Sequence, residues 1–412
     1  MQLSVPQERL GARGFLACAL VIGTLLIFAI DLYVPALPVM QRELEVSASF
    51  LNLTMFAFFF FGAFGVLLGG PISDRLGRKR PYLASIALFA AASFGCMLAG
   101  GVWELVVFRS LQALAYGMEA AIRTALVKDA YEGESLKLAM TLVQSLMIVG
   151  PALAPFLGSF LVLAFGWRGV FCFLGAAGAV SLCLASLMSE TLAPEHRLQG
   201  GVLESFRGTF EHTRTLLSQR GFTALALIMG VIAVPYFAWI ATVSYIMVDF
   251  FQTDYLVYSL VYAAMSVVSI IAPYVYIVLS KLMSVRQLVV LCIVLGAAST
   301  ALLAGLGASG PLAFAVAFVP YALAEGIVRP MAYVVLLDQP QRLVGAASSF
   351  TNFLYNVITA LATVLATLPW TNYVSGLAVL GACSVALIVA LFLWGIRGAS
   401  PSFNSGDGER WG

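Results

Sequence analysis

Six ionisable residues stand inside stretches that are otherwise apolar: Asp31, Arg109, Glu119, Arg123, Glu325 and Arg329. At the centre of a lipid-embedded helix each costs about 2.5 to 3.5 kcal/mol, so the set would cost roughly 15 to 20 kcal/mol if all faced hydrocarbon. They must face one another or water. At about 100° per residue, Arg109, Gln112, Tyr116, Glu119 and Arg123 fall within an arc of roughly 80° and make a polar stripe on one helix. Glu119 with Arg123, and Glu325 with Arg329, stand four residues apart, where opposite charges neutralise each other and lock a helix face. A structural lock and the lining of a wet cavity both fit that spacing. Asp31 has no partner on its own helix, and its depth matches that of Arg109, so the two can meet. An acid beside an arginine, in surroundings that alternately dry and wet, can exchange a proton. Asp31 is therefore the candidate proton carrier and Arg109 the group that tunes it, with a fixed salt bridge as the alternative. Tyr236 and Trp239 near Pro235, and Asn352, Tyr355 and Asn356, are candidate substrate contacts, although aromatics at such spacing also serve packing.

Other chemistry is missing. There is no Gly-x-x-x-x-Gly-Lys-Ser/Thr phosphate loop and no His-Glu-x-x-His zinc motif. Both histidines, His196 and His212, lie in a polar central stretch, and no nucleophile has a nearby base. Cys18, Cys96, Cys172, Cys183, Cys292 and Cys383 are scattered singly without metal-ligand spacing, as packing cysteines would be. The expectation is a non-enzyme without cofactor or metal, driven by an ion gradient. Its partners are a small-molecule substrate, protons and the lipid bilayer, with no nucleic acid.

These charges must be positioned by membrane helices. The 412 residues are 61% apolar and only 10% charged, with a mean hydropathy of +0.97, whereas soluble chains are about 25% charged. Apolar runs of about 20 residues, long enough to cross about 30 Å of hydrocarbon, predict twelve spans. They lie near 14–36, 48–70, 81–100, 103–126, 138–165, 168–188, 222–247, 255–279, 287–308, 311–336, 343–367 and 372–396. With both termini cytoplasmic, 17 Lys and Arg residues fall in cytoplasmic loops and only Arg42 and Arg168 outside, the asymmetry of the positive-inside rule. The first run is too long for a secretory signal and continues into Asp31-Leu32-Tyr33-Val34-Pro35-Ala36-Leu37-Pro38, so it is expected to stay as a helix.

The longest polar stretch, 189–221, falls halfway along the chain and predicts a cytoplasmic linker between two six-helix bundles, 1–188 and 222–397. Within it Leu203 to Leu217 fits either a surface helix or a solvated linker. The Gly-, Ser- and Asp-rich tail, 398–412, is expected to be disordered. A weak repeat supports two halves: Ser73-Asp74 matches Ser280-Lys281, and Glu119-x-x-x-Arg123 matches Glu325-x-x-x-Arg329. Such an internal repeat is transporter architecture, with the substrate site near the midplane.

Four motifs together resemble the major facilitator superfamily, and more narrowly its bicyclomycin/chloramphenicol-type drug–proton antiporter branch, over essentially the whole chain. Gly70-Pro71-Ile72-Ser73-Asp74-Arg75-Leu76-Gly77-Arg78-Lys79-Arg80 is similar to the superfamily's loop signature. The resemblance implies a gating role for Gly70, Asp74, Arg75, Gly77, Arg78 and Lys79, in which Asp74 caps a neighbouring helix end. Asp31 to Pro38 resembles the branch's first-helix motif, and Arg109-Ser110-Leu111-Gln112-Ala113 its fourth-helix motif, whose arginine is tied to proton coupling. The run Gly150 to Ser159 resembles the fifth-helix antiporter motif, which adds Gly150, Pro151 and Gly158 as gating positions. Ala113 and Ser159 stand where the family usually has glycine; both are small. Gly23 and Thr24 occupy the region where some multidrug members carry a second acid, which weakens an expectation of cationic drugs. The resemblance implies an all-α membrane protein of twelve helices in two pseudo-symmetric bundles (the major facilitator fold). It further implies a monomer in the bacterial inner membrane, exporting small molecules against protons by alternating access. A dedicated exporter of an endogenous anionic metabolite, such as a siderophore, is the alternative.

Overall fold

In the computed structural model the described residues are 7, 9–193, 195, 197 and 212–396, with side chains described there except at 144–149, 151, 152, 341, 342 and 396. Pro151's side chain, residues 203–211 of the expected surface helix and the tail 398–412 lie outside them. Among the described residues the regular structure is helical apart from an isolated bridge at Tyr131. The chain divides into two compact units, Met1–Ser205 and Phe206–Gly412.

The first unit contains α1 (Gly11–Asp31), a 3-10 turn (Val34–Ala36), α2 (Leu37–Glu43), α3 (Ala48–Leu76), α4 (Lys79–Leu98), α5 (Val102–Ala130) and α6 (Gly133–Ser186). The predicted span 14–36 ends as a helix five residues early, at Asp31. Pro35 has no amide hydrogen for the Asp31 carbonyl four residues back and its ring crowds that carbonyl, so α1 stops there; the chain passes through the 3-10 turn and forms a short helix from Leu37. At 54 residues α6 would measure about 80 Å if straight, far more than a bilayer's thickness. It breaks at Gly166, whose φ of 67° is open to glycine, so the predicted spans 138–165 and 168–188 share this one element.

The close crossing in this unit is α3 on α5. A Cβ added at Gly65 would strike the Leu114 carbonyl, and one at Gly117 would strike the Gly62 carbonyl and come within 2.8 Å of the Val66 nitrogen. Small residues let two membrane helices approach backbone to backbone.

The second unit contains α7 (Arg220–Ser244), a π-helical turn (Tyr245–Phe250), α8 (Tyr255–Leu279), α9 (Val285–Leu306), α10 (Pro311–Leu337), α11 (Gln341–Leu365) and α12 (Tyr373–Ile396). The side chains of Asp254 and Ser284 accept from the Val257 and Gln287 amides and start α8 and α9, satisfying donors that a helix start leaves open. Among the described residues ten segments are long and apolar enough to cross a membrane, with Leu153–Ser186 counted once. The predicted eleventh span, 343–367, coincides with α11 up to Leu365 but is not among the ten, because Ser348, Ser349, Asn352 and Asn356 interrupt its apolar surface. Large apolar side chains such as Leu163, Leu256, Tyr274 and Leu312 are exposed, as expected of surfaces that face lipid. Cys96 and Cys292 are buried, but Cys172, Cys183 and Cys383 are exposed, so those three do not pack the core as expected.

Candidate functional site

The end of α1 leaves backbone carbonyls without helical partners. One of them, on Ala29, accepts from Arg109 Nη1 at 3.1 Å. The guanidinium lies between two rings, 4.2 Å from the centroid of Tyr33 and 4.2 Å from that of Phe58, a cation–π arrangement that is strongest where water is excluded. The same Nη1 donates to Gln112 Oε1 at 2.6 Å, Gln112 Nε2 donates to Ser93 Oγ at 2.7 Å, and that hydroxyl donates to the Phe89 carbonyl. Asp31 is the last residue of α1 and is buried. The structure thus brings Arg109 onto the helix end that carries Asp31, while tying the arginine to α3 and α4. Gly158 and Gly150 of α6 pack on the same helix: a Cβ at Gly158 would meet the Leu32 carbonyl, and one at Gly150 would lie 2.8 Å from Ile27 Cγ2.

One turn further along α5, Tyr116 packs on Phe58 with ring centroids 5.7 Å apart and lies within electrostatic reach of Arg123, Glu119 and Asp31. Glu119 is fully buried; its Oε1 accepts from Arg123 Nε at 2.9 Å and from the Tyr82 hydroxyl at 3.1 Å. Its Oε2 has no hydrogen-bond partner among the described residues. The niche at 119 is therefore shaped for a carboxylate, and separating such a pair leaves a buried charge at a cost of about 3 to 5 kcal/mol. Exchanging the two (Glu119→Arg with Arg123→Glu) is expected to lower transport at least tenfold. A guanidinium at 119 would crowd the Tyr82 hydroxyl. Transport per folded molecule, after fluorescence-detected gel filtration, checks this; activity within twofold of the parent would leave only a helix lock.

At the end of α3 the loop motif forms a charge cluster. Arg78 donates to Asp74, to Ser73 Oγ at 2.8 Å and to Asp129 Oδ2 at 2.8 Å. Burial works against the Arg78 charge, but the hydrogen bond and field of Asp129, with those of Asp74, outweigh it and hold the guanidinium above its usual pKa. The resemblance implies that Asp74 caps a neighbouring helix end; within this unit its carboxylate takes Arg78 instead. The capping carboxylate is Glu190, which accepts from the backbone amides of Arg78 at 2.8 Å, Lys79 at 3.2 Å, Thr191 at 3.0 Å and Leu192 at 3.1 Å. A negative charge at the start of α4 also complements the helix dipole. Gly77 must be glycine: its φ is 85°, and a Cβ would run into Glu190 Oε2. Lys79 reaches the Ser186 carbonyl at 3.1 Å, and Arg75 is half-buried on the last turn of α3. At Gly70 a Cβ would meet nothing within 4 Å, so packing in this structure does not require its glycine.

The second unit repeats the spacing but not the contact. Glu325 Oε1 accepts from the Tyr355 hydroxyl at 2.9 Å, and the Arg329 guanidinium lies 5.0 Å from the centroid of that tyrosine ring. Tyr333 donates to Asn352 Oδ1, Asn352 Nδ2 donates to the Ser348 carbonyl, and Asn356 Nδ2 donates to the Asn352 carbonyl. The Tyr236 hydroxyl lies 2.9 Å from Ser269 Oγ. Trp239, expected as a substrate contact, is 1% exposed, stacked on Phe318 and packed against Tyr262. In this structure it packs in the core of the unit.

Tyr33, Phe58, Tyr82, Ser93, Asp129, Glu190 and Tyr333 were not singled out from the sequence. Only Glu190 and Asp129 carried a signal, as acids beside predicted helix ends.

A model of the Major Facilitator Superfamily matches residues 19–363. The uncharacterized MFS-type transporter YdgK of Bacillus subtilis is 28% identical over 348 residues, which cover 82% of this chain and 85% of that protein. The chloramphenicol resistance protein CraA of Acinetobacter baumannii is 28% identical over 224 residues, 53% of this chain and 52% of that protein, so this match spans about half the length of each. Among solved structures, a bacterial homolog of the human lysosomal transporter Spinster matches with a TM-score of 0.74 at 15% identity, over 96% of this chain and 98% of that one. That likeness is one of fold.

Proposed function

The chain belongs to the Major Facilitator Superfamily, and on that premise we propose that it is a drug/proton antiporter, exporting small molecules by alternating access. The observation that carries this reading is the buried acid Asp31 at the broken end of α1, with Arg109 delivered to the same helix end. A carboxyl held there can take up a proton in one state of the cycle and release it in another, and the fixed guanidinium sets how tightly the proton is held. The Tyr33 and Phe58 rings keep Arg109 out of water, so its field acts at full strength on groups beside it. Glu119, Arg123, Tyr116, Glu325, Arg329, Tyr355, Asn352, Asn356 and Tyr236 are the proposed polar lining. The cluster of Asp74, Arg78 and Asp129, with Glu190, is the proposed cytoplasmic latch, its strength set by buried charge-assisted hydrogen bonds.

The proposed setting is the bacterial cytoplasmic membrane, with both termini inside and a single chain as the working unit. Two six-span bundles, 1–188 and 222–397, are joined by the polar linker 189–221. The resistance named for CraA points to neutral antibiotics such as chloramphenicol as substrates. An exporter of one anionic metabolite is the second reading, favoured by three arginines within apolar helices.

The test is accumulation of cationic dyes, chloramphenicol and radiolabelled carboxylates in cells with and without the protein, each repeated with a protonophore. Protonophore-sensitive exclusion of chloramphenicol and other unrelated compounds is expected. Exclusion of one carboxylate alone would select the second reading, and exclusion of nothing would overturn both.

A further inference from the structure

Arg329 stands apart from the other two arginines within apolar helices. Arg109 bonds a carbonyl and an amide oxygen, and Arg123 bonds Glu119. Among the described residues no side chain or carbonyl accepts a hydrogen bond from Arg329, and no carboxylate lies within 4.0 Å of it. The expected partner, Glu325, is turned to the Tyr355 hydroxyl, and the face of that tyrosine ring meets the guanidinium. The surrounding polar groups are engaged elsewhere: Tyr333 with Asn352, and Tyr236 with Ser269. Arg329 is half-buried, and its nitrogens are not sealed from the surroundings.

We propose that Arg329 is a docking point for a carboxylate on the transported molecule, with the Tyr355 ring as a platform beside it. A guanidinium has five donors in a planar fork that matches a carboxylate in bidentate fashion. In apolar surroundings such donors need acceptors, and this structure leaves them pointing at none. Tyr355 holds the arginine by its ring and Glu325 by its hydroxyl, which keeps the internal acid from closing on the fork. An aromatic acid suits the site because its ring can pack beside the half-buried Tyr333 while its carboxylate meets Arg329, whose guanidinium already lies against the buried Tyr355 ring. A neutral compound would find the same aromatic wall without the ionic bond.

This rests on the export reading, and the test separates the two. Full-length protein in lipid nanodiscs is titrated with three pairs, benzoate and benzamide, salicylate and salicylamide, indole-3-acetate and indole-3-acetamide. Protonophore-sensitive chloramphenicol export by the wild type is measured in parallel, and its absence would count against the drug-export reading and not against the carboxylate site. Wild type should bind at least one acid about tenfold or more above its amide, as expected of a charge-assisted pair. Arg329→Gln should bring that acid down to the level of its amide, Arg329→Lys should keep part of the preference, and Glu325→Gln should tighten the acid by removing a competing negative charge. The lysine variant keeps the charge, so it reports on the site even if the glutamine variant fails to fold. Equal binding of acids and amides by wild type, or a preference that survives in Arg329→Gln or is unchanged in Arg329→Lys, would overturn the assignment.

Discussion

Asp31→Asn is expected to abolish uphill export while leaving the protein folded. Asparagine has nearly the volume of aspartate and keeps an oxygen at the end of α1, where Asp31 is buried, so packing against α6 through Leu32, Pro35 and Gly158 should survive. What is lost is a group that can gain and lose a proton. Each unit of pH gradient supplies about 1.4 kcal/mol per proton, a tenfold concentration ratio for one-to-one exchange. Without a carrier that ratio falls to one. Binding and downhill exchange need no net proton movement and should persist. The measurement is chloramphenicol distribution across everted vesicles at an imposed gradient of one pH unit. Asp31→Asn vesicles that still concentrate the drug would remove Asp31 from the proton path.

The second large effect concerns folding. Gly117→Leu is expected to leave little or no folded protein in the membrane, because its Cβ alone would strike the Gly62 carbonyl on α3 and the rest of the side chain has nowhere to go. Overpacking a tight core costs about 1 to 3 kcal/mol even where side chains can move; here the obstacle is backbone, so α3 and α5 must separate. That separation would pull Phe58 away from Arg109 and so disturb the proposed site from a distance. Gly62→Ala, on the same face of α3 with only an ordinary 3.8 Å contact to the Ala113 carbonyl, should fold like the parent. Comparable gel-filtration yields for Gly117→Leu and Gly62→Ala would contradict the close crossing.

Much of this was legible in the sequence, for identifiable reasons. Apolar runs and the asymmetry of Lys and Arg mark the membrane segments, because hydrocarbon tolerates few alternatives. The 3.6-residue period placed Arg109 with Gln112 and Glu119 with Arg123, and both pairs are bonded in the structure. The period failed where a tertiary contact intervened. Glu325 and Arg329 have the same spacing, yet Tyr355 from α11 comes between them. The rings around Arg109, the Tyr82 bond to Glu119 and the Glu190 cap join residues 37 to 112 positions apart or lie on other helices, and no local pattern announces such partners. Two signals were present but unused. Pro35 has no amide hydrogen for the carbonyl four residues back, that of Asp31, which is where α1 stops, and Gly62, Gly65 and Gly69 carry the small-residue spacing of a close helix crossing.

The central claim is that substrate moves outward only as protons move inward, and it can be read from proton movement itself. Purified full-length protein is reconstituted into liposomes with a pH-sensitive dye trapped inside and no gradient imposed. A chloramphenicol gradient is then applied across the membrane. The account predicts a proton flux opposite in direction to the drug, abolished by a protonophore and absent with Asp31→Asn. Drug movement without any proton flux in the wild type would contradict it.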